Sequence, residues 1–236
     1  YDLSVHFIDV GKADGIYIRC NGKHILIDSG DVEYSGTVTN YLKRQGVEVL
    51  DMVVVTHFDR DHIGGMANVL MEFEVKRFLM PELPEELVPD SAAYETMIYA
   101  LGARRVPAES PDIGDRFSLG GMEIRVLGPQ RVYDDMNDNS ILLKMTYGEI
   151  SFLFMGDAEE NAEKDLLEQG YDLRSTVLKV GHHGSKTSTS QELLDAVMPQ
   201  AAVISVGEDR NELPKTQVLD LSLIHISEPT RPLYIS

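Results

Sequence analysis

Three times along this chain a run of apolar residues stops on side chains that bind cations. "VVVTHFDRDHIGG", Val53 to Gly65, ends on His57, Asp59, Asp61 and His62. "FLFMGDAEE" ends on Asp157, and "TVLKVGHHGS" ends on His182 and His183. A continuous apolar, β-branched run reads as a strand buried on both faces, which a sheet allows only under covering layers. Each delivery alone is weak evidence, because a lone Asp there is usually a helix N-cap and a His pair is often on the surface. Together they predict a fold whose strand ends converge on one polar site. Imidazole and carboxylate in that mixture suit Zn²⁺, Mn²⁺ or Fe²⁺, with the carboxylate share favouring harder ions.

The rest of the chain reads as strands and helices in a repeated order. "LSVHFIDVG", "GIYIRC" and "KHILIDSG" are strands, the last two joined at Asn21-Gly22, a strong hairpin signal. "GTVTNYLKRQG" is a helix ended by Gly46. "LDMVVVT" is a strand, "GGMANVLMEF" a helix and "VKRFLMP" a strand. "ELPEELVPDS" is a loop, and "SAAYETMIYALG" is a helix stopped at Gly102. Past a seam between Ala103 and Gly114 the order begins again. Hairpins turn at Gly120-Gly121 and at Tyr147-Gly148-Glu149. Then come the helix "AEENAEKDLLEQG", the strand "TVLKVG", the helix "STSQELLDAVMP", the strand "AAVISVG" and a last helix from "PKTQVLDL". This order predicts an α/β fold of αββα type, two facing mixed β-sheets with helices outside.

Composition narrows the function. The formal net charge is −18, which disfavours a polyanion partner unless bound cations or a few placed Lys and Arg residues supply local positive charge. Cys20 is the only cysteine, so there is no intrachain disulfide and no cysteine-cluster zinc site. No apolar run approaches the ~18–20 residues of a membrane span. The closing stretch "LSLIHISEPTRPLYIS" breaks the helical pattern and resembles a translated sequencing-library adapter. We therefore expect residues 1–220 to be one C-terminally truncated domain, and 221–236 to be a non-native, adapter-derived tail.

Several stretches agree in order and spacing with a known family: "VHFIDVGKADGIYI", "HILIDSG", "THFDRDHIGG", "NDNSILLKM", "FLFMGDAE" and "LKVGHHGSKTSTS". Over Val5 to about Leu221 the chain resembles the metallo-β-lactamase superfamily, in particular its ComEC-type competence branch and stand-alone relatives. The resemblance implies two divalent metal ions, Zn²⁺ or Mn²⁺. It assigns His57 and Asp59 to one metal, and Asp61 and His62 to the other. Asp157 then bridges the two, and one of His182 and His183, with His183 favoured, completes the second site. Asn139 falls where the superfamily has a third-motif His, so the first site is completed there by Asn139, by Asp138 or by water. Leu213, in "NELP", stands where relatives often have the His of "YGHP". The resemblance also implies an extracellular or cell-surface setting, single-stranded DNA as substrate, and a role in DNA uptake.

Around these ligands the residues suggest further roles. Asp61 is the candidate catalytic residue, positioning the attacking water or taking its proton. Ser185, Lys186, Thr187 and Ser188 precede a helix whose start reads as a capping box of Thr189 and Glu192. That helix end, the hydroxyls and Lys186 are the candidate phosphate contacts. Asp14 reads as a turn residue or part of the site rim, and Asp28 as a partner of backbone near the metal loop. Tyr133, Asp134 and Asp135 are placed on a loop lining the pocket, His6 in the core and His24 at the surface. The function expected is a dinuclear metal-dependent phosphodiesterase. One alternative is hydrolysis of a small phosphodiester such as cell-envelope phosphocholine, which the acidic charge suits. The other is a degenerate domain that binds metal or ligand without turnover. β-Lactam hydrolysis is disfavoured by Asp59 and Asn139.

Overall fold

The structure, a computed structural model, describes residues 2–207, 213–221 and 233–235. The chain divides into two compact units, one of residues 1–111 and 230–236, the other of residues 112–229.

In the first unit, β1 (Leu3–Phe7), β2 (Ile16–Cys20) and β3 (Lys23–Ile27) form an antiparallel meander. Its second turn is Asn21-Gly22, with φ of 45° and 76°, the positive values that a two-residue hairpin needs. Helix α1 (Ser35–Arg44) returns the chain to a short ribbon of β4 (Val49–Leu50) with β6 (Glu74–Val75). β5 (Met52–Val54), β7 (Phe78–Leu79) and β8 (Ala108–Glu109) add parallel to β3. Helices α2 (Arg60–Ile63), α3 (Met66–Glu72) and α4 (Ala92–Arg104) make the crossovers. β5 is buried along its whole length, as its apolar sequence requires; β1 is buried throughout too, with its Ser4 and His6 side chains hydrogen-bonded to each other at 2.8 Å. The helix expected to stop at Gly102 runs on to Arg104. It ends at Arg105, which takes the left-handed conformation usually left to glycine (φ 56°).

The second unit repeats the plan. β9 (Arg116–Leu119), β10 (Met122–Gly128), β11 (Leu142–Tyr147) and β12 (Ile150–Phe154) are antiparallel neighbours. β13 (Val177–Lys179) and β14 (Ala201–Val203) then add parallel to β12, through α5 (Glu160–Glu168) and α6 (Gln191–Val197). Leu153, Leu178 and Val180 pack with Ala162 and Leu166 of α5, Leu193 and Val197 of α6, and Val218 of α7 (Thr216–Leu221). Both units thus place crossover loops at the carboxyl ends of parallel strands, where α/β sheets carry their chemistry.

Of the expected tail, residues 222–232 and 236 lie outside the described residues. β15 (Leu233–Ile235) pairs antiparallel with β1. Asn211 and Glu212 of "NELP" also lie outside them. Among the described residues no helix is long and apolar enough to cross a membrane.

Candidate metal centre

In the first unit the site is built around Asp28. It follows β3 in the left-handed region (φ 57°), and its N–H donates to the carbonyl of Val54 at 2.9 Å, tying two parallel strand ends together. Its carboxylate is fully buried. Oδ1 accepts from the Thr56 N–H at 2.8 Å, and Oδ2 from the Thr56 hydroxyl at 2.7 Å. The same Oδ2 lies 2.8 Å from Nδ1 of His62. Because the Thr56 hydroxyl donates to Asp28, it accepts from Nδ1 of His57, 3.2 Å away. Both imidazoles therefore carry their proton on Nδ1, and a metal would be held through Nε2. Partners of this kind fix the tautomer and ring orientation of metal-binding histidines. The two rings are fully buried, with centroids 4.1 Å apart.

Asp59 approaches Nε2 of His57 at 3.8 Å, and the Asp61 carboxylate lies within 4.8 Å of a His62 ring nitrogen. Asp14 is not a rim residue. It is buried, and its carboxylate lies within 4.8 Å of the Asp28 carboxylate and of a His62 ring nitrogen. Burial pushes the Asp28 pKa up, and the charge and hydrogen bond of His62 oppose that shift.

The paired glycines after this loop have a steric cause. A Cβ on Gly64 would strike the backbone nitrogen of Val32 and sit 2.6 Å from the Asp31 carbonyl carbon; on Gly65 it would sit 2.5 Å from the Ser29 carbonyl oxygen. Only glycine lets α2 lie so close to the segment after β3. Ser29 completes the join, its N–H and hydroxyl both donating to the His62 carbonyl at 2.8 and 3.1 Å.

In the second unit, Asp157 follows β12 and His183 follows β13. His183 is fully buried. Its Nδ1–H donates to the Ser205 carbonyl at 2.9 Å, and its Nε2 faces Asp157 Oδ2 at 3.3 Å. The Asp157 N–H donates to the Ser140 hydroxyl at 3.1 Å. His182 turns elsewhere: its Nδ1 meets Glu159 Oε1 at 2.5 Å, and its side chain is 24% exposed. Burial lowers the His182 pKa, but the Glu159 hydrogen bond and the charges of Asp157 and Glu159 outweigh it, so the net shift is upward. Both histidines hold left-handed backbone (φ 42° and 51°), a strain that clusters at functional sites.

Several expected residues have other work. Asn139 is committed to its own loop: Oδ1 accepts from the Tyr133 N–H at 2.9 Å, and Nδ2 donates to the carbonyls of Tyr133 and Asp135 at 2.8 and 2.7 Å. Asp138 is buried and caps the start of α5, accepting from the N–H groups of Glu159 (2.9 Å) and Ala162 (3.3 Å). Tyr133 is buried, and its hydroxyl donates to Asp165 at 2.9 Å rather than lining a pocket. The Ser188 hydroxyl is spent on the Gly181 carbonyl at 2.8 Å. Thr187 donates to Glu159 at 2.6 Å and shares a hydrogen bond with Ser185 at 2.9 Å. Lys186 is exposed. Pro214 lies against Gly184, and the Lys215 N–H donates to the Gly184 carbonyl at 3.0 Å, which places Leu213 beside the His182–His183 turn.

The expected capping box of Thr189 and Glu192 does not form. Ser190, not Thr189, caps α6, accepting from the Leu193 N–H at 3.2 Å. The carboxylate of Glu163, on α5, accepts from the N–H groups of Thr189 and Ser190, so it already fills the helix start where a phosphate was expected. Thr56, Glu159 and Glu163 escaped the sequence reading. Thr56 had a signal, its hydroxyl preceding His57 at a strand end. The two glutamates look like ordinary residues on an acidic helix. His24, expected at the surface, is half-buried, with Nδ1 2.8 Å from the Tyr17 hydroxyl.

Residues 9–208 match the model of the metallo-β-lactamase superfamily. ComE operon protein 3 of Bacillus subtilis is 29% identical over 94% of this chain and 30% of its own length. Recombination protein 2 of Haemophilus influenzae is 32% identical over 86% of the chain and 24% of its own length. Competence protein ComA of Neisseria gonorrhoeae is 31% identical over 87% and 27%. The chain thus spans less than a third of the curated relatives it matches. Among solved structures, the metallo-β-lactamase fold protein YhfI from Bacillus subtilis aligns with a TM-score of 0.65 at 10% identity, covering 98% of this chain and 99% of that one. A diphosphatase of the PhnP family aligns with a TM-score of 0.55 at 14% identity, covering 94% and 84%.

Proposed function

The chain belongs to the metallo-β-lactamase superfamily, a family of generally metal-dependent hydrolases, and from that premise we propose that it is a dinuclear phosphodiesterase acting on single-stranded DNA. The ligand set of this reading is His57, Asp59, Asp61 and His62 from the first unit with Asp157 and His183 from the second. The observation that carries it is shared by three buried histidines. Each has Nδ1 engaged by a protein oxygen, at Thr56, Asp28 and Ser205, so each would bind metal through Nε2. The donor set is imidazole and carboxylate without thiolate, which fits Zn²⁺ or Mn²⁺.

Divalent ions held there supply Lewis acidity toward a phosphoryl oxygen and toward water. The chain's own residues do the rest. Asp28 and Thr56 hold the imidazoles in register. Asp61, half-buried at the start of α2, positions the attacking water or takes its proton. Glu159 orients His182 and Thr187, and exposed Lys186 meets the substrate's negative charge. Divalent cations there would offset the negative charge of the carboxylates that an anionic ester must approach. Single-stranded DNA as substrate, and a place in DNA uptake at the cell surface, are supported by the competence and recombination names of the relatives.

The net charge of −18 favours a second reading with the same chemistry, hydrolysis of a small phosphodiester such as cell-envelope phosphocholine. One assay separates the readings: end-labelled single-stranded DNA and bis(p-nitrophenyl) phosphate with Mn²⁺ or Zn²⁺, beside Asp61→Ala. Metal-dependent cleavage of both, lost in the variant, supports the nuclease. Cleavage of the small ester alone moves the reading to a small substrate. Cleavage of neither by folded, metal-loaded protein overturns the phosphodiesterase.

A further inference from the structure

On the second sheet, three cations stand side by side on neighbouring strands. Arg125 on β10 is the register partner of Arg116 on β9 and of Lys144 on β11. Direct cross-strand partners point to the same face, about 5 Å apart. Like charges so placed repel, and a row of three in a chain of net charge −18 costs stability unless it serves a purpose.

The row lines a hollow of ≈ 240 Å³ together with Thr146, Glu123 and Asp172. The two acids neutralise the three cations only in part. Lys144 reaches Asp172 Oδ2 only at 3.4 Å, and that carboxylate is 76% exposed, so the pair is weak. Lys144 donates instead to the Asp172 main-chain oxygen at 2.7 Å, which fixes the ammonium in the hollow. Arg125 lies over the ring of Tyr171, its guanidinium carbon 4.7 Å from the centroid, which fixes the guanidinium plane. Its Nε–H is buried and meets no acceptor among the described residues. A buried donor without a partner is costly, and a charged one more so. Among those residues, no carboxylate pairs with Arg116 or Arg125.

We propose that Arg116, Arg125 and Lys144, with the Thr146 hydroxyl, form a phosphate-binding site on this face, outside the metal centre. A guanidinium held flat by an aromatic ring presents its donors as a fork that matches phosphate oxygens, and the flanking cations neutralise the charge. The site deepens the phosphodiester reading and rests on it only for the source of the phosphate. A strand engaged here meets a cationic row on a chain of net charge −18.

The test is made on the whole chain in EDTA, so that binding is read without turnover. One arm titrates inorganic phosphate and follows the Arg125 Nε–H cross-peak by NMR. The other titrates a labelled single-stranded oligonucleotide by fluorescence anisotropy across a salt series. The wild type should shift the Arg125 peak with phosphate and bind the oligonucleotide. Arg116→Gln with Lys144→Gln should weaken oligonucleotide binding roughly ten-fold and reduce the salt slope by about 1.4, at about 0.7 for each cation removed. Arg116→Gln alone, at an exposed position, should reduce the slope by about 0.7. A phosphate shift without oligonucleotide binding keeps the anion site and assigns it to a small phosphate. No shift and no binding, or a slope unchanged in the double variant, overturns the proposal. Turnover of bis(p-nitrophenyl) phosphate with metal, unchanged in both variants, is scored separately. Its absence in the wild type fells the phosphodiesterase and leaves the anion site standing.

Discussion

Asp28→Asn tests how the fold prepares its histidines. The carboxylate accepts three hydrogen bonds, from the Thr56 N–H, the Thr56 hydroxyl and His62 Nδ1. Asparagine keeps an oxygen at Oδ1 for the Thr56 N–H but puts an NH₂ where Oδ2 stood. That group donates, so Nδ1 of His62 must become an acceptor and the imidazole proton moves to Nε2. The tautomer that binds metal through Nε2 is then disfavoured. Hydrogen bonds to a charged acceptor contribute about 1.5–3 kcal/mol each. The Thr56 hydroxyl bond is lost and the His62 bond survives only as a neutral one, while the desolvation that raises the Asp28 pKa is relieved, so the net loss of stability should be about 1–3 kcal/mol. Loss of such a partner usually weakens metal binding by about 10- to 100-fold. Competition with a chromophoric chelator for Zn²⁺, read beside thermal melts, separates the two effects. Zinc affinity within about two-fold of wild type, at equal folding, would refute the tautomer argument.

Other expectations follow from the same packing. Gly64→Ala should lower stability by more than about 1–3 kcal/mol in denaturant melts, because its Cβ meets backbone at Val32, Asp31 and Arg60 rather than a movable side chain. Glu163→Ala should cost about 2–4 kcal/mol by leaving the Thr189 and Ser190 N–H groups unsatisfied, while Glu163→Gln, which keeps one acceptor, should cost about half that. His6 is held neutral between Tyr41 and Ser4, its pKa lowered to about 4 by burial and then by Arg19. Below the unfolded value of 6.5 the unfolded chain takes up a proton that the native ring refuses. Stability should therefore fall as the pH drops from about 6.5 to about 4. The fall should be of order 1–2 kcal/mol after allowance for solvent screening, and smaller in His6→Gln.

The hairpins, the buried strands and the His and Asp clusters at strand ends were legible because each depends on residues near one another in sequence. Asn21-Gly22 sets its own turn, and the apolar runs at β5 and β13 require burial whatever surrounds them. The errors lie where distant segments meet. Asn139 reads as a weak ligand until the loop from Tyr133 closes over its amide. Glu192 reads as a capping residue, but Glu163 on the preceding helix reaches the same N–H groups first. Gly102 reads as a helix stop, yet two more residues extend the helix and Arg105 takes the left-handed cap. The choice between His182 and His183 was open in the sequence. In the fold it turns on the Ser205 carbonyl and the Glu159 carboxylate, which draw the two rings apart.

The central proposal is that the chain binds two divalent ions, and bound metal per folded chain tests it most directly. Equilibrium dialysis against Zn²⁺ or Mn²⁺ with elemental analysis should give about two ions per wild-type chain, and fewer in His57→Ala and in Asp157→Asn. No metal bound to folded wild type, or a stoichiometry unchanged in both variants, would contradict the account.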